Sequence, residues 1–176
     1  MAVDVYAADE QADRPIELES WVALARAVLA DRGVGGDAEV SLLFVDEPTI
    51  AELNEQFLGR DGPTDVLAFP IEEAPGPGGR SPDFGGTGPG SEPVDEPLVL
   101  LGDVVICPAV ASRNATEHRS SDEDELALLV VHGLLHLLGM DHQAEDEAAR
   151  MEHLEQVLLA RYHRSARSAA PDRVGE

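Results

Sequence analysis

The run Val131–His142, VHGLLHLLGMDH, places His132, His136 and His142 within eleven residues of a strongly apolar stretch. Neutral imidazoles in such surroundings are costly unless something pairs with them. His132 and His136 are four residues apart, so on a helix they share one face with Cβ atoms about 6 Å apart. Two imidazoles at that spacing can reach one ion at Zn–N distances of ~2.0–2.1 Å. His142 comes six residues later, beyond Gly139. A continuous helix would carry it away around the axis, whereas a glycine turn at 139 folds the chain back and aims it at the same point. The pattern HxxxHxxGxxH therefore predicts three histidine ligands around one ion with an open fourth position, the arrangement of a catalytic zinc. A single histidine in an apolar helix is ordinarily a packed core or boundary residue. His118, His153 and His163 keep that ordinary reading, because they stand on polar helical faces or in the tail.

The histidine and glycine spacing equals that of metzincin proteases, with one departure. Zincin proteases place a Glu directly after the first His as general base. Here that position is Gly133. Peptide hydrolysis by that mechanism is disfavoured, and the chemistry of the site rests more on the metal, which by itself brings the pKa of its water towards ~7. Asp141, beside the third ligand, is a candidate for orienting an imidazole or acting as a weak base, and equally for capping the glycine turn.

The elements that must position these residues are legible as periodicities. Residues 17–32 repeat Trp21, Leu24, Val28 and Leu29 on one helical face and stop at Gly33. Ala38–Asp46 and Thr64–Ile71 read as strands, the second ending or lying at an edge because of Pro70. Thr49–Leu58 reads as a helix behind Pro48. Leu98–Pro108 is apolar nearly throughout, as a central strand would be. A helix over 108–119, a longer one opened by a Ser120/Glu123 capping box and running to about Leu138, and a last one over 145–162 complete the set. With a short N-terminal strand at Val3–Tyr6, the order predicts an α+β domain: a small mixed β-sheet with packed helices, one of them a zincin-like metal helix.

Composition sets the limits around that frame. A length of 176 residues with 43% hydrophobic side chains suits one domain, expected over 1–165 with a flexible tail at 166–176. The Pro/Gly/acid-rich stretch 72–97 cannot bury enough apolar surface to offset its chain entropy and reads as an insertion. The net charge is 12 − 35 = −23, opposite to the basic footprint of a nucleic-acid binder. The charge is uneven, with Arg161, Arg164, Arg167 and Arg173 marking a basic C-terminal region. One cysteine, Cys107, excludes an intrachain disulfide and reads as a small buried apolar residue. With no secretory signal pattern and no apolar run of ~20 residues, a soluble cytoplasmic protein is expected and no membrane partner.

Three ordered blocks resemble a known family. HGLLHLLGMDH is similar to HGxLHLxGxDH, the signature of the bacterial YbeY family of rRNA maturation factors or metal-dependent endoribonucleases. LNEQFLGRDGPTDVLAFP, Leu53–Pro70, is similar to its LN…TDVLSFP segment, and LGDVVIC, Leu101–Cys107, to its LGD strand. The resemblance covers most of residues 38–160. It implies a single α+β domain with one Zn2+ per chain on His132, His136 and His142. It also implies a single-strand-specific endoribonuclease acting in 16S rRNA 3′-end maturation and small-subunit quality control, with the 16S rRNA precursor, the small ribosomal subunit and assembly factors as partners. Two departures matter. Where many members carry an Arg thought to touch substrate, this chain has Leu58, so Arg60 or Arg113 is the candidate substrate-binding cation; and the Ser before Phe is Ala68.

On this reading the zinc would polarise a phosphodiester, Arg side chains or backbone amides would offset charge on phosphorus, and TDVLAF would lie as an edge strand beside the metal helix. A chain aligned along that strand would be single-stranded. The competing readings are a metalloprotease, which lacks its Glu, and a non-catalytic zinc-stabilised ribosome-assembly protein, favoured by Leu58 and the negative charge.

Overall fold

The computed structural model describes residues 3–34, 38–71, 99–140 and 144–164. The chain order is β1 (Asp4–Asp9), α1 (Leu18–Asp31), β2 (Ala38–Phe44), α2 (Glu47–Leu58), β3 (Val66–Pro70), β4 (Val99–Ile106), α3 (Pro108–Glu117), α4 (Asp122–Leu137) and α5 (Glu145–Leu158), continued by a π-helical stretch, Leu159–Arg164. The segment 72–97 and the tail 166–176 lie outside the described residues.

The strands form a mixed sheet in the order β1-β2-β4-β3. β1, β2 and β4 run parallel, and β3 closes one edge antiparallel to β4 with Pro70 opposite Gly102. Pro70 therefore ends an edge strand, where a missing N–H costs no ladder bond. β2 alternates strictly between buried and half-buried residues, AEVSLLF. Its Val40, Leu42 and Phe44, with Val104 and Ile106 of β4, meet α1, α4 and α5 in the main core. Leu67 and Val105 face the other side, where Ile50 of α2 and Val110 of α3 cover them. β4 is thus buried on both faces, which accounts for a sequence that is apolar except at Gly102 and Asp103.

Between Leu100 and Gly102 the register of β4 against β2 shifts by one residue, leaving Leu101 as a bulge. Gly102 has φ +132°, and a Cβ there would run into the backbone oxygen of Phe69. The glycine lets edge strand β3 approach closely beside the end of α4, whose Leu137 also borders it.

The predicted elements are present, with ends moved by one or a few residues. The capping signal of α4 is displaced by one residue: Ser121, not Ser120, is the N-cap, its Oγ accepting the N–H of Asp124 at 3.0 Å. Ser120 instead donates from its hydroxyl to Oε2 of Glu125 at 3.3 Å. His163 is a packed boundary residue, stacked on Trp21 and paired with Asp124 at 2.8 Å. No helix among the described residues is long and apolar enough to cross a membrane.

Candidate metal centre

α4 is nearly surrounded. From Glu125 to Leu137 only Leu128, His132 and His136 escape full burial. Their spacing of four marks one narrow stripe on an otherwise buried helix, and the two histidines occupy its C-terminal half. The helix has this character because α1, α3, α5, β3 and β4 all pack against it.

On that stripe the two imidazoles converge. Nε2 of His136 stands 3.0 Å from Nε2 of His132, with ring centroids 4.5 Å apart. Two ligands at tetrahedral angles around an ion ~2.0–2.1 Å away would have nitrogens about 3.3 Å apart, so this pair fits a shared ion with a few tenths of an ångström of adjustment. His136 lies in the last turn of α4. There the free carbonyls and the negative end of the helix dipole favour a cation.

The turn after α4 matches the reading of Gly139. Gly139 has φ +93°, its N–H donates to the His136 carbonyl at 3.0 Å, and the Met140 N–H donates to the Leu135 carbonyl at 3.0 Å. This pair of bonds is a Schellman motif, and its left-handed residue reverses the chain. His142, the third predicted ligand, and Asp141, the predicted weak catalytic residue, lie outside the described residues. Among the described residues no set of three potential ligands converges.

The residue that sequence reasoning missed is Glu155. Its Oε1 is hydrogen-bonded with Nδ1 of His132 at 2.5 Å. Glu155 is buried in α5 along with Met151 and Leu158. Those two lie four residues before and three after it, so a carboxylate interrupts an apolar stripe. That interruption was the available signal.

Gly133 has its own structural cause. A Cβ at that position would fall 2.5 Å from Cγ1 of Val104. The residue after the first histidine thus faces β4 rather than the imidazole stripe, and the helix sits against the sheet because nothing projects there.

β3 packs along α4, as the TDVLAF segment predicts. Asp65 anchors its start: its Oδ1 accepts the Val66 N–H at 2.8 Å, its Oδ2 accepts the Asn114 amide at 3.2 Å, and its carbonyl accepts the Cys107 N–H at 2.9 Å. Cys107 is buried, and burial pushes its thiol pKa upward. Phe69 on β3 meets Phe57 of α2 edge-on at 5.2 Å, and Phe57 and Leu58 are both more than half exposed. Arg60 is exposed just beyond the left-handed C-cap Gly59. Arg113 makes an ion pair with Glu47 at the start of α2. A separate groove of about 710 Å³, lined by Trp21, Leu24, Leu126 and Tyr162 among others, opens by the amino-terminal half of α4 and does not include His132 or His136.

A mixed sheet carrying one almost fully buried helix, with a paired-imidazole stripe beside an edge strand, defines an α+β protein organised around that helix. Residues 6–163 match the family described as Endoribonuclease YbeY, and the chain belongs to that family. It is 45% identical over 156 residues to Endoribonuclease YbeY of Salinispora tropica, covering 87% of this chain and 92% of that protein. It is 42% identical over 166 residues to the Thermobifida fusca protein of the same name, covering 94% and 96%. The solution structure of TM1509 from Thermotoga maritima has the same fold, with a TM-score of 0.54 over 99% of each chain at 24% identity.

Proposed function

We propose that this protein is a zinc-dependent endoribonuclease specific for single-stranded RNA, acting on the 16S rRNA precursor in 3′-end maturation and in small-subunit quality control. The observation that carries this reading is the convergence of the His132 and His136 Nε2 atoms at 3.0 Å on a helix whose C-terminal glycine turn leads to His142, in a chain of a family whose members bear the name endoribonuclease.

His132, His136 and His142 would hold the ion. When bound, zinc supplies Lewis-acid chemistry to a phosphodiester. The chain's own residues do the rest. β3 offers an edge beside α4 along which an extended strand of RNA can lie. The exposed Phe57 ring, set against Phe69, offers an aromatic surface for an unpaired base. Arg60 and Arg113 supply positive charge for phosphates, Arg113 by exchanging its ion pair with Glu47. Asp141, next to the third ligand in sequence, would orient an imidazole or take up a proton. A duplex has its bases stacked away from such a surface, which favours single strands.

The test is metal analysis of the purified full chain together with cleavage of single-stranded and duplex RNA, with and without chelator. About one zinc per chain is expected, with cleavage confined to single strands, abolished by chelator and restored by zinc. His136→Ala should lose both zinc and cleavage while circular dichroism retains the helical signal. In cells, unchanged 16S 3′-end processing with a folded, metal-free variant would overturn the assignment.

A further inference from the structure

We propose that Glu155 is the positioning residue for His132, fixing the tautomer and ring orientation that present Nε2 to the metal. The proposal rests on the reading of His132 and His136 as metal ligands. An ionised carboxylate only accepts hydrogen bonds, so the proton between Glu155 Oε1 and His132, 2.5 Å apart, belongs to Nδ1. With Nδ1 protonated in a neutral ring, the lone pair lies on Nε2, the atom directed at His136.

Burial makes this arrangement specific. Glu155 is 7% exposed, on a face where Met151 and Leu158 are also buried. An apolar residue there would add to the core, whereas a carboxylate removed from water is strongly unfavourable unless its charge is offset. The imidazole proton supplies one offset. A dication on the far side of the same ring supplies another, because coordination through Nε2 makes Nδ1–H a stronger donor and the carboxylate in turn makes the ligand more basic. α5 thus contributes to the centre through a residue that never touches the ion.

A second buried carboxylate provides the control. Glu125 is 4% exposed and pairs with Nδ1 of His118 at 3.3 Å. The His118 side chain is 61% exposed and stands at the C-cap of α3, opposite the first turn of α4 rather than its histidine stripe. Removing the charge of Glu125 perturbs a comparable buried site without touching the histidine pair.

The experiment compares full-length wild type with Glu155→Leu, Glu155→Gln and Glu125→Gln. Zinc affinity is measured by competition with a chromogenic chelator, and the His132 tautomer in the metal-free protein by two-bond 1H–15N NMR. Glu155→Leu should weaken zinc binding roughly 10–100-fold and shift His132 from the Nδ1–H towards the Nε2–H form. Glu155→Gln retains an acceptor without the charge and should lose roughly tenfold or less. Glu125→Gln should match wild type in both readouts. If Glu155→Leu does not fold, Glu155→Met takes its place, with the same expected loss of affinity and tautomer shift. Wild-type affinity in the apolar variant, or weakened affinity with its Nδ1–H form intact, would overturn the positioning role. Failure of wild type itself to bind zinc would overturn the metal-ligand reading and this proposal with it, a result distinct from tight wild-type binding shared by the variants.

Discussion

A methyl group added at position 133 would lie 2.5 Å from Cγ1 of Val104, a β-branched residue on a strand buried on both faces. Alanine gains up to about 1 kcal/mol over glycine in a helix interior. Overpacking a tight core costs about 1–3 kcal/mol, and a stiff valine yields little. The second effect wins, so Gly133→Ala should destabilise the protein by about 1 kcal/mol or more in urea unfolding. Gly133→Glu should be worse and should confer no peptidase activity, because its side chain starts toward β4. Increased stability in Gly133→Ala would mean that the helix can move off the sheet. At Phe57, removing an exposed ring should leave the fold intact yet raise KM for single-stranded RNA by roughly tenfold, the effect of one lost stacking contact, with little change in kcat. An unchanged KM would remove Phe57 from the RNA path.

Among the elements, α4 and the π-helical stretch after α5 are tied down by different devices. Ser121 caps α4 through the Asp124 N–H, and Ser121→Ala should cost about 1 kcal/mol in thermal or urea unfolding. Ser120→Ala should not have the same effect on the cap, since its hydroxyl bonds Glu125. The stretch after α5 is fastened to α1 by Asp31, whose Oδ2 accepts from Tyr162 Oη and from an Arg161 N–H, each at 2.6 Å. The Tyr162 hydrogen bond first, and then that of Arg161, hold the Asp31 carboxyl below the usual aspartate range. A depressed carboxylate contributes stability above its unfolded pKa and loses it as pH falls through the lower folded value. The stability gap between wild type and Asp31→Asn should therefore be constant near neutrality and shrink below about pH 4, as read by urea unfolding across pH. A gap that widens on acidification would contradict the tether. These cases also show what the sequence made legible. Periodicity within one element exposed the helices, the strands and the histidine stripe, and Gly139 announced its own turn. Ser120 and Ser121 compete for one cap, and backbone geometry chooses between them. The Glu155–His132 and Asp31–Tyr162 bonds join residues 23 and 131 positions apart, and only the packing of α5 and its extension against α4 and α1 brings them together.

At the scale of the whole molecule, a chain with 12 basic and 35 acidic residues must attract a polyanion. The net charge of −23 repels RNA at long range, while on the proposed reading Arg60 and Arg113 attract it at short range. Salt separates the two because the Debye length shortens from about 30 Å at 0.01 M to about 10 Å at 0.1 M. Over that interval the distributed charge is screened first, and contacts within a few ångström of a phosphate are screened much less. KM for single-stranded RNA should therefore fall as ionic strength rises from about 0.01 to 0.1 M, measured by initial cleavage rates with zinc held saturating. A basic nucleic-acid binder behaves in the opposite way, losing affinity steadily as condensed counterions are restored to the phosphates. If KM rises from the lowest salt upward, a local basic surface outweighs the net charge. Arg60→Gln and Arg113→Gln would then identify its members by flattening that rise.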